Sequence, residues 1–393
     1  MERSQLLEAL LAHNGRNGLS TEIWGEGAAE AARQAVGEAP ATAAPGKTVY
    51  RLETPLDLRY SIQCDAPERL HFPVEGGQKS WDRSPLTLEV GLLTGAVVRP
   101  WYGYHLVLNS DAVVADASSA YWPLSAGALE ETGVAASGPT EQRVELPEAF
   151  LVCDDLDTTN FCHFICDLLP KIAVAGECGR ALPIVIEPPS QRFQQELLEL
   201  VAHRHGHPVI PLEQGREIHV RRLYYLRRTG HTHPLLRCSG LALNWVRDLV
   251  APRPKQAPTG SILYLGRRDR RRVINEGELI AALQEHTERL TVNYEIERLG
   301  VREQAELLLK HETIIGPHGA GFTHLLFTRA SPKCAVEIMG PGNGSLSFAL
   351  ISGRLGIQHC VHIAESRTTI NGANYPDLEA NPSSVIKLLT KTQ

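Results

Sequence analysis

Four groups of residues in this 393-residue chain have side chains and spacing suited to chemistry. The first is Ile314-Ile315-Gly316-Pro317-His318-Gly319-Ala320-Gly321-Phe322-Thr323-His324. An apolar run turns through glycines into a helix start, the layout of a strand–loop–helix unit. Gly319 and Gly321 let a backbone approach a bulky anion closely, and Ala320 adds little bulk. The following helix would aim free N–H groups and its positive dipole end at that anion. His318 stands at the lip, placed to donate to a phosphate oxygen. Alone, such a glycine pair is better explained as a tight turn beside a packed histidine; its neighbours change the balance.

The second group is Tyr264 to Glu276, where Arg267, Arg268, Arg270, Arg271 and Arg272 fall between a strand and a helix opened by Asn275. Guanidinium groups bind diphosphates in bidentate fashion. The plainer account is a solvated basic loop. The third is Glu337, an acid at the end of a buried strand, where it could hold a ribose diol or simply face water. The fourth lies in Asn160 to Lys171. His163 and Asp167 are four residues apart and share a helix face. The unperturbed pKa of histidine suits proton abstraction near neutral pH, with Asp167 as orienting partner. Its plainer account is a histidine near a helix start and a solvated aspartate.

The elements that must position these groups alternate between strand and helix. Residues 1–46 read as a helix and a loose arm, and residues 47–251 as one lobe with a β-rich, antiparallel opening. Expected opening strands are Leu70–Val74, Leu86–Val90 and Tyr104–Leu108. From Phe150 the texture becomes α/β, with a helix over Phe161–Val174 capped by Asp157 to Asn160. The prolines of 252–258 mark a linker. Residues 259–382 then alternate as a second α/β lobe, and 383–393 close the chain with a helix. Such alternation calls for a parallel sheet covered on both faces.

Composition narrows the partners. Hydrophobic residues make up 43% and charged residues 21%, with a net charge of -6. The negative balance argues against nucleic acid as the main partner. The eight cysteines show no paired metal spacing and read as free thiols in a reducing compartment. The amphipathic Leu6, Leu7, Leu10 and Leu11 lack the features of a secretory signal. No stretch is long and apolar enough for a transmembrane helix, which suggests a cytoplasmic protein and leaves room for peripheral membrane contact.

Together the four groups resemble glycosyltransferase family 61. Its His-x-x-x-Asp-x-Leu-Pro signature matches His163, Asp167, Leu169 and Pro170. Arg267 matches its leading arginine, Arg272, Asn275 and Glu276 its Arg-x-x-Asn-Glu segment, Gly316 to Gly321 its Gly-Pro-His-Gly-Ala-Gly loop, and Glu337 the acid on the next strand. Two positions depart from the pattern. Gly266 stands where members often have serine, and His324 where they often have asparagine. The resemblance implies an inverting transferase with two Rossmann-like lobes (GT-B), to which the β-rich N-terminal section is only loosely similar; the arginines and the glycine loop can balance a diphosphate, so no metal is expected. The resemblance also implies a nucleotide-diphosphate sugar as donor, a UDP-sugar for preference, and a glycan or other glycoconjugate hydroxyl as acceptor. It assigns His163 and Asp167 to catalysis. Arg267, Arg272, Asn275, Glu276, His318, Gly319, Ala320, Gly321, Thr323, His324 and Glu337 are assigned to the donor.

Three alternatives compete. Asp155-Leu156-Asp157 resembles the metal-carrying Asp-x-Asp of single-lobed sugar transferases, but it precedes the His163 helix and stands far from the anion loop. A Rossmann dehydrogenase or epimerase would place Gly-x-Gly-x-x-Gly after the first strand of its α/β unit, whereas this loop falls late and reads His-Gly-Ala-Gly. A non-catalytic sugar-nucleotide binder would keep the loop without the base.

Overall fold

The computed structural model describes residues 46–54, 61–69, 86–101, 104–109, 112–114, 142–152, 159–178, 180–227, 239–250, 257–268, 271–328, 332–341, 346–368 and 376–390. The architecture is mixed α/β. The N-terminal helix and arm, the Leu70–Val74 strand, Asp155 and Asp157, and the prolines at 252 and 254 lie outside the described residues. Two compact units are present. One comprises the described residues of Met1–Thr54, Thr87–Thr159 and Asp167–His233. The other comprises those of Pro55–Leu86, Asn160–Cys166 and Pro234–Gln393.

The first unit is built on strands β1 (Lys47–Thr54), β3 (Leu86–Trp101), β4 (Tyr104–Asn109), β5 (Ala112–Val113), β6 (Gln142–Leu151), β7 (Ile184–Ile186), β8 (Val209–Pro211) and β9 (Arg216–Leu226). Its sheet order is β5-β4-β3-β9-β6-β7-β8, with β1 beside β3. The opening strands pair antiparallel, as their short alternating patterns lead one to expect. β6 pairs parallel with β7 and β9, so the sheet is mixed. Its core joins Val98, Val107, Ala149, Leu151, Val185, Val220 and Leu223. Gly91 is required there, because a Cβ would stand 2.7 Å from the buried Tyr225 ring.

A helical run carries the chain from α1 (Phe161–His163) through a π turn (Phe164–Leu168) into α2 (Leu169–Glu177). Asn160 caps it, its side chain accepting from Cys162 N at 2.9 Å. The π turn has a cause in the sequence. Pro170 has no N–H to offer the carbonyl four residues back, and the ladder widens just before it. α3 (Arg192–His205) follows between β7 and β8 and ends on Gly206 in the left-handed region, φ 69°.

The second unit has a fully parallel six-stranded sheet. Strands β2 (Ile62–Cys64), β10 (Ile262–Leu265), β11 (Leu290–Asn293), β12 (Thr313–Pro317), β13 (Cys334–Met339) and β14 (Gln358–Ile363) lie in the order β11-β10-β12-β13-β14-β2. A small antiparallel pair, β15 (Glu365–Thr368) and β16 (Asp377–Glu379), accompanies it. Every residue of β10 and β13 is buried, as in a sheet covered on both faces. On one face α5 (Glu276–His286) and α8 (Pro382–Thr390) supply Leu279, Leu283, Val385 and Leu388 to a core with Ile262, Tyr264, Val336 and Ile338. The remaining helices are α4 (Gly240–Val250), α6 (Val301–Leu309) and α7 (Ser347–Leu355), which pack against the 3-10 helix Ala320–Phe327.

The linker expected at 252–258 is not where the units divide. The described residues within 55–86, 160–166 and 234–250 belong with the second unit. β2 explains the first of these segments. It forms the sheet edge in register with β14, Ile62 opposite His359 and Cys64 opposite Val361. Asp65 then pins it, accepting from His362 Nδ1–H and, at 3.0 Å, from Ile363 N. Among the described residues no helix is long and apolar enough to cross a membrane.

Candidate functional site: an anion cradle on the second sheet

The second sheet reverses strand order between β10 and β12: β11 lies on one side of β10 and β12 on the other. Ligands of open parallel sheets bind beyond the carboxyl ends of the strands at such a point. Gly266 and Arg267 follow β10 there, and His318 and Gly319 follow β12. The two sequence groups meet. Arg267 Nη1–H donates to His318 O at 3.3 Å. A Cβ on Gly319 would stand 2.1 Å from that same nitrogen. The Gly319 backbone is extended (φ 162°, ψ 179°), so a side chain here would meet no torsional strain but would displace the guanidinium.

The helix after the loop is a 3-10 helix of eight residues, tighter than the α-helix its apolar spacing suggests. Phe322 N bonds back to Gly319 O at 3.1 Å. The amides of Gly319, Ala320 and Gly321 have no acceptor among the described residues. Three unpaired N–H groups beside a guanidinium are donors of the kind that could hold an anion.

Behind the loop stands a buried polar line. His318 Nδ1–H donates to Glu337 Oε1, and His359 Nε2–H donates to Glu337 Oε2 at 3.0 Å. Ser352 Oγ lies 3.0 Å from His359 Nδ1. Burial alone would raise the Glu337 pKa, but the two histidines hold it down to about 2, so the carboxylate is ionised. Each of its oxygens already has an imidazole, which makes it a support for His318; direct ribose contact is not what its surroundings favour.

Other expected donor contacts are likewise engaged inside the chain. Glu276 receives Tyr264 O–H and Tyr294 O–H, one on each oxygen, both at 2.8 Å. Burial first, then Glu276, pushes the Tyr294 pKa up to about 12, and that of Tyr264 is raised further. The Tyr294 ring occupies the space beside Gly266, where a Cβ would lie 2.3 Å from it. Arg268 covers that ring at 4.4 Å. This accounts for glycine at a position where serine would not fit.

Arg272 is bound to Asp377, through Nη2 at 2.6 Å and its own backbone N at 3.0 Å. Asn275 pins Ala380 in both directions, at 2.7 and 3.0 Å. His324 is buried, with its nitrogens 2.7 Å from Gly321 O and from Gln304 Oε1. Burial pushes its pKa down to about 4, so the ring is neutral at pH 7 and donates through one nitrogen only. Thr323 is fully buried, and its hydroxyl has no hydrogen-bond partner among the described residues.

His163 ends the turn α1, and Asp167 lies in the π turn, fully buried. Both were expected in the first lobe. The turn carrying His163 instead belongs to the second unit, where Phe161 stacks on His324 at 4.4 Å. Asp167 begins the return to the first unit. Tyr294, Ser352, His359 and Asp377 were not singled out by sequence. Tyr294, an aromatic residue just past a strand end, was the one with a visible signal.

A parallel sheet with a basic strand end and a glycine loop at its switch point is an arrangement that glycosyltransferases also use. The Glycosyltransferase 61 family model matches residues 161–336, and over that segment the chain is similar to this family. Among curated proteins it is similar to the EGF domain-specific O-linked N-acetylglucosamine transferase of Drosophila melanogaster, 42% identical over 67 residues. The match covers 17% of this chain and spans 13% of the length of that relative.

Proposed function

We propose that this chain is an inverting glycosyltransferase of GT-B type that moves a sugar from a nucleotide-diphosphate donor, a UDP-sugar, to a hydroxyl of a glycan or other acceptor. One observation carries the proposal: Arg267 and the unpaired amides of Gly319, Ala320 and Gly321 converge at the strand-order reversal. In this reading the acceptor oxygen attacks the anomeric carbon and the bond to the diphosphate breaks. The departing diphosphate takes the electron pair. Arg267, His318 and the loop amides stabilise its growing charge. His163 takes the acceptor proton, with Asp167 as its partner. Arg272, Asn275, Glu276, Thr323, His324 and Glu337 shape and hold the cradle. The relative's name describes O-linked transfer, which agrees with a hydroxyl acceptor.

Calorimetry with UDP tests the donor assignment. Arg267→Ala should weaken UDP binding by about 1.5–3 kcal/mol, the span for a lost charge-assisted contact. Unchanged affinity refutes it. The positive groups of the cradle can balance a diphosphate, so the proposed reaction needs no metal. Turnover should persist in EDTA; loss restored by a divalent ion would favour the Asp155 and Asp157 alternative. Donor hydrolysis measured with and without acceptors separates an enzyme from a simple binder.

A further inference from the structure

The buried line behind the loop does more than fill space. It starts at Ser352 on α7, passes through His359 on β14 and Glu337 on β13, and ends at His318 in the loop. Three of its four members are almost completely buried: Ser352 at 0%, His359 at 1% and Glu337 at 1% exposure. Only His318 reaches solvent, its side chain 12% exposed. Its Nδ1 is committed to Glu337. Nε2, across the ring, has no hydrogen-bond partner among the described residues.

The donors and acceptors along the line fit one arrangement. Ser352 O–H donates to His359 Nδ1, His359 Nε2–H donates to Glu337, and Glu337 accepts Nδ1–H of His318. The partner of one ring nitrogen dictates what the other presents. With Nδ1–H held by the buried Glu337 carboxylate, Nε2 is the ring nitrogen left to meet a ligand. An N–H at Nε2 would add a donor on the residue that precedes the amides of Gly319, Ala320 and Gly321.

We infer that Ser352, His359 and Glu337 are positioning residues that keep Nδ1–H of His318 on Glu337, so that Nε2 is the ring nitrogen that, once protonated, donates its N–H to the leaving diphosphate. This rests on the donor reading above, but part of its test does not. His359 holds Glu337 in place from the side away from the loop, and Ser352 fixes which nitrogen of His359 faces Glu337. Loss of either should loosen the preference of His318 between its tautomers.

The test is the tautomer itself. In the full chain labelled with 15N-histidine, the His318 signals are assigned by their loss in His318→Gln. At alkaline pH the Nδ1–H form should exceed the Nε2–H form by roughly tenfold or more, a ratio that one charge-assisted hydrogen bond sustains. In free imidazole side chains the preference is weak, so a merely packed His318 would show a mixture. His359→Leu and Ser352→Ala should shift His318 toward that mixture, and His359→Gln, which keeps a donor to Glu337, should restore the wild-type ratio. Ser352→Ala removes only a hydroxyl, so the folded state is available if His359→Leu is not. UDP affinity should fall roughly three- to tenfold in Ser352→Ala, as expected for a misdirected hydrogen bond. A predominantly Nε2–H His318 in the unaltered chain overturns the inference. So does an unchanged tautomer ratio in both Ser352→Ala and His359→Leu. If the unaltered chain shows the Nδ1–H form and does not bind UDP, the lock stands and the donor reading fails. UDP binding that is weakened by Arg267→Ala but unmoved by Ser352→Ala leaves the donor reading standing and removes the lock from its service.

Discussion

Gly319→Ala isolates the contact between the loop and Arg267. The extended backbone at Gly319 suits alanine without strain, so the mutation acts through its methyl group. That methyl would lie 2.1 Å from Arg267 Nη1 and 3.3 Å from Cζ. Ordinary contact needs about 3.5 Å, so the guanidinium must retreat by roughly 1 Å or more. The bond from Nη1–H to His318 O, already 3.3 Å long, would be lost. Because the obstacle is the end of a flexible side chain, the cost to folding should be about 1 kcal/mol or less. The cost to donor binding should approach that of Arg267→Ala, about 1.5–3 kcal/mol, or roughly 10- to 150-fold. The two substitutions remove one interaction, so they should not add. Calorimetry of UDP binding to the wild type, each variant and the double variant, with urea denaturation of all four, measures both quantities. Full additivity in binding, or a stability loss above about 3 kcal/mol with UDP affinity intact, would refute the geometry.

Gly266→Ser should destabilise by about 1–3 kcal/mol through overpacking against Tyr294, whose ring is held by Glu276 and Arg268; Tyr294→Ala in the same chain should recover part of the loss in urea denaturation. Glu337 has a folded pKa of about 2 against an ordinary 4.5, so its ionised form favours folding. That contribution is present above pH 4.5 and disappears as pH falls toward 2, so the stability gap between wild type and Glu337→Gln should be a few kcal/mol at pH 7 and narrow across this window. A gap that widens on acidification would contradict the charge state. His163→Ala and Asp167→Asn should each lower turnover by about two to four orders of magnitude while leaving UDP affinity nearly unchanged. Full activity in a stable Asp167→Asn would remove Asp167 from the reaction.

How legible the fold was depended on where the information lies. Ile262-Leu263-Tyr264-Leu265 and Cys334-Ala335-Val336-Glu337-Ile338 are short apolar runs, and a strand buried on both faces must have such a pattern. The glycine loop and Arg267 were recognisable because each belongs to one local turn. β2 was not, because its partner β14 lies about 300 residues further on and parallel pairing leaves no local mark. His359 and Ser352 escaped for the same kind of reason: they reach Glu337 only through the register of β14 and the docking of α7. The helix bearing His163 was anticipated, but reading it at 3.6 residues per turn overlooked what Pro170 does to the preceding carbonyls. Glu276, Asn275 and Arg272 were assigned to the donor through their match to the family's Arg-x-x-Asn-Glu segment. Their actual partners, Tyr294, Ala380 and Asp377, come from elsewhere in the chain.

The edge strand β2 also governs the order in which this protein can be made. During synthesis Ile62–Cys64 leaves the ribosome long before Gln358–Ile363, the strand it must join. The second sheet therefore stays incomplete until β14 has emerged, and closing so long a loop slows folding. Until then β14's future neighbour is an unpaired strand open to other chains. A shortened chain starting after the first unit would lack β2 and the Asp65 contact to His362, leaving β14 as a bare edge.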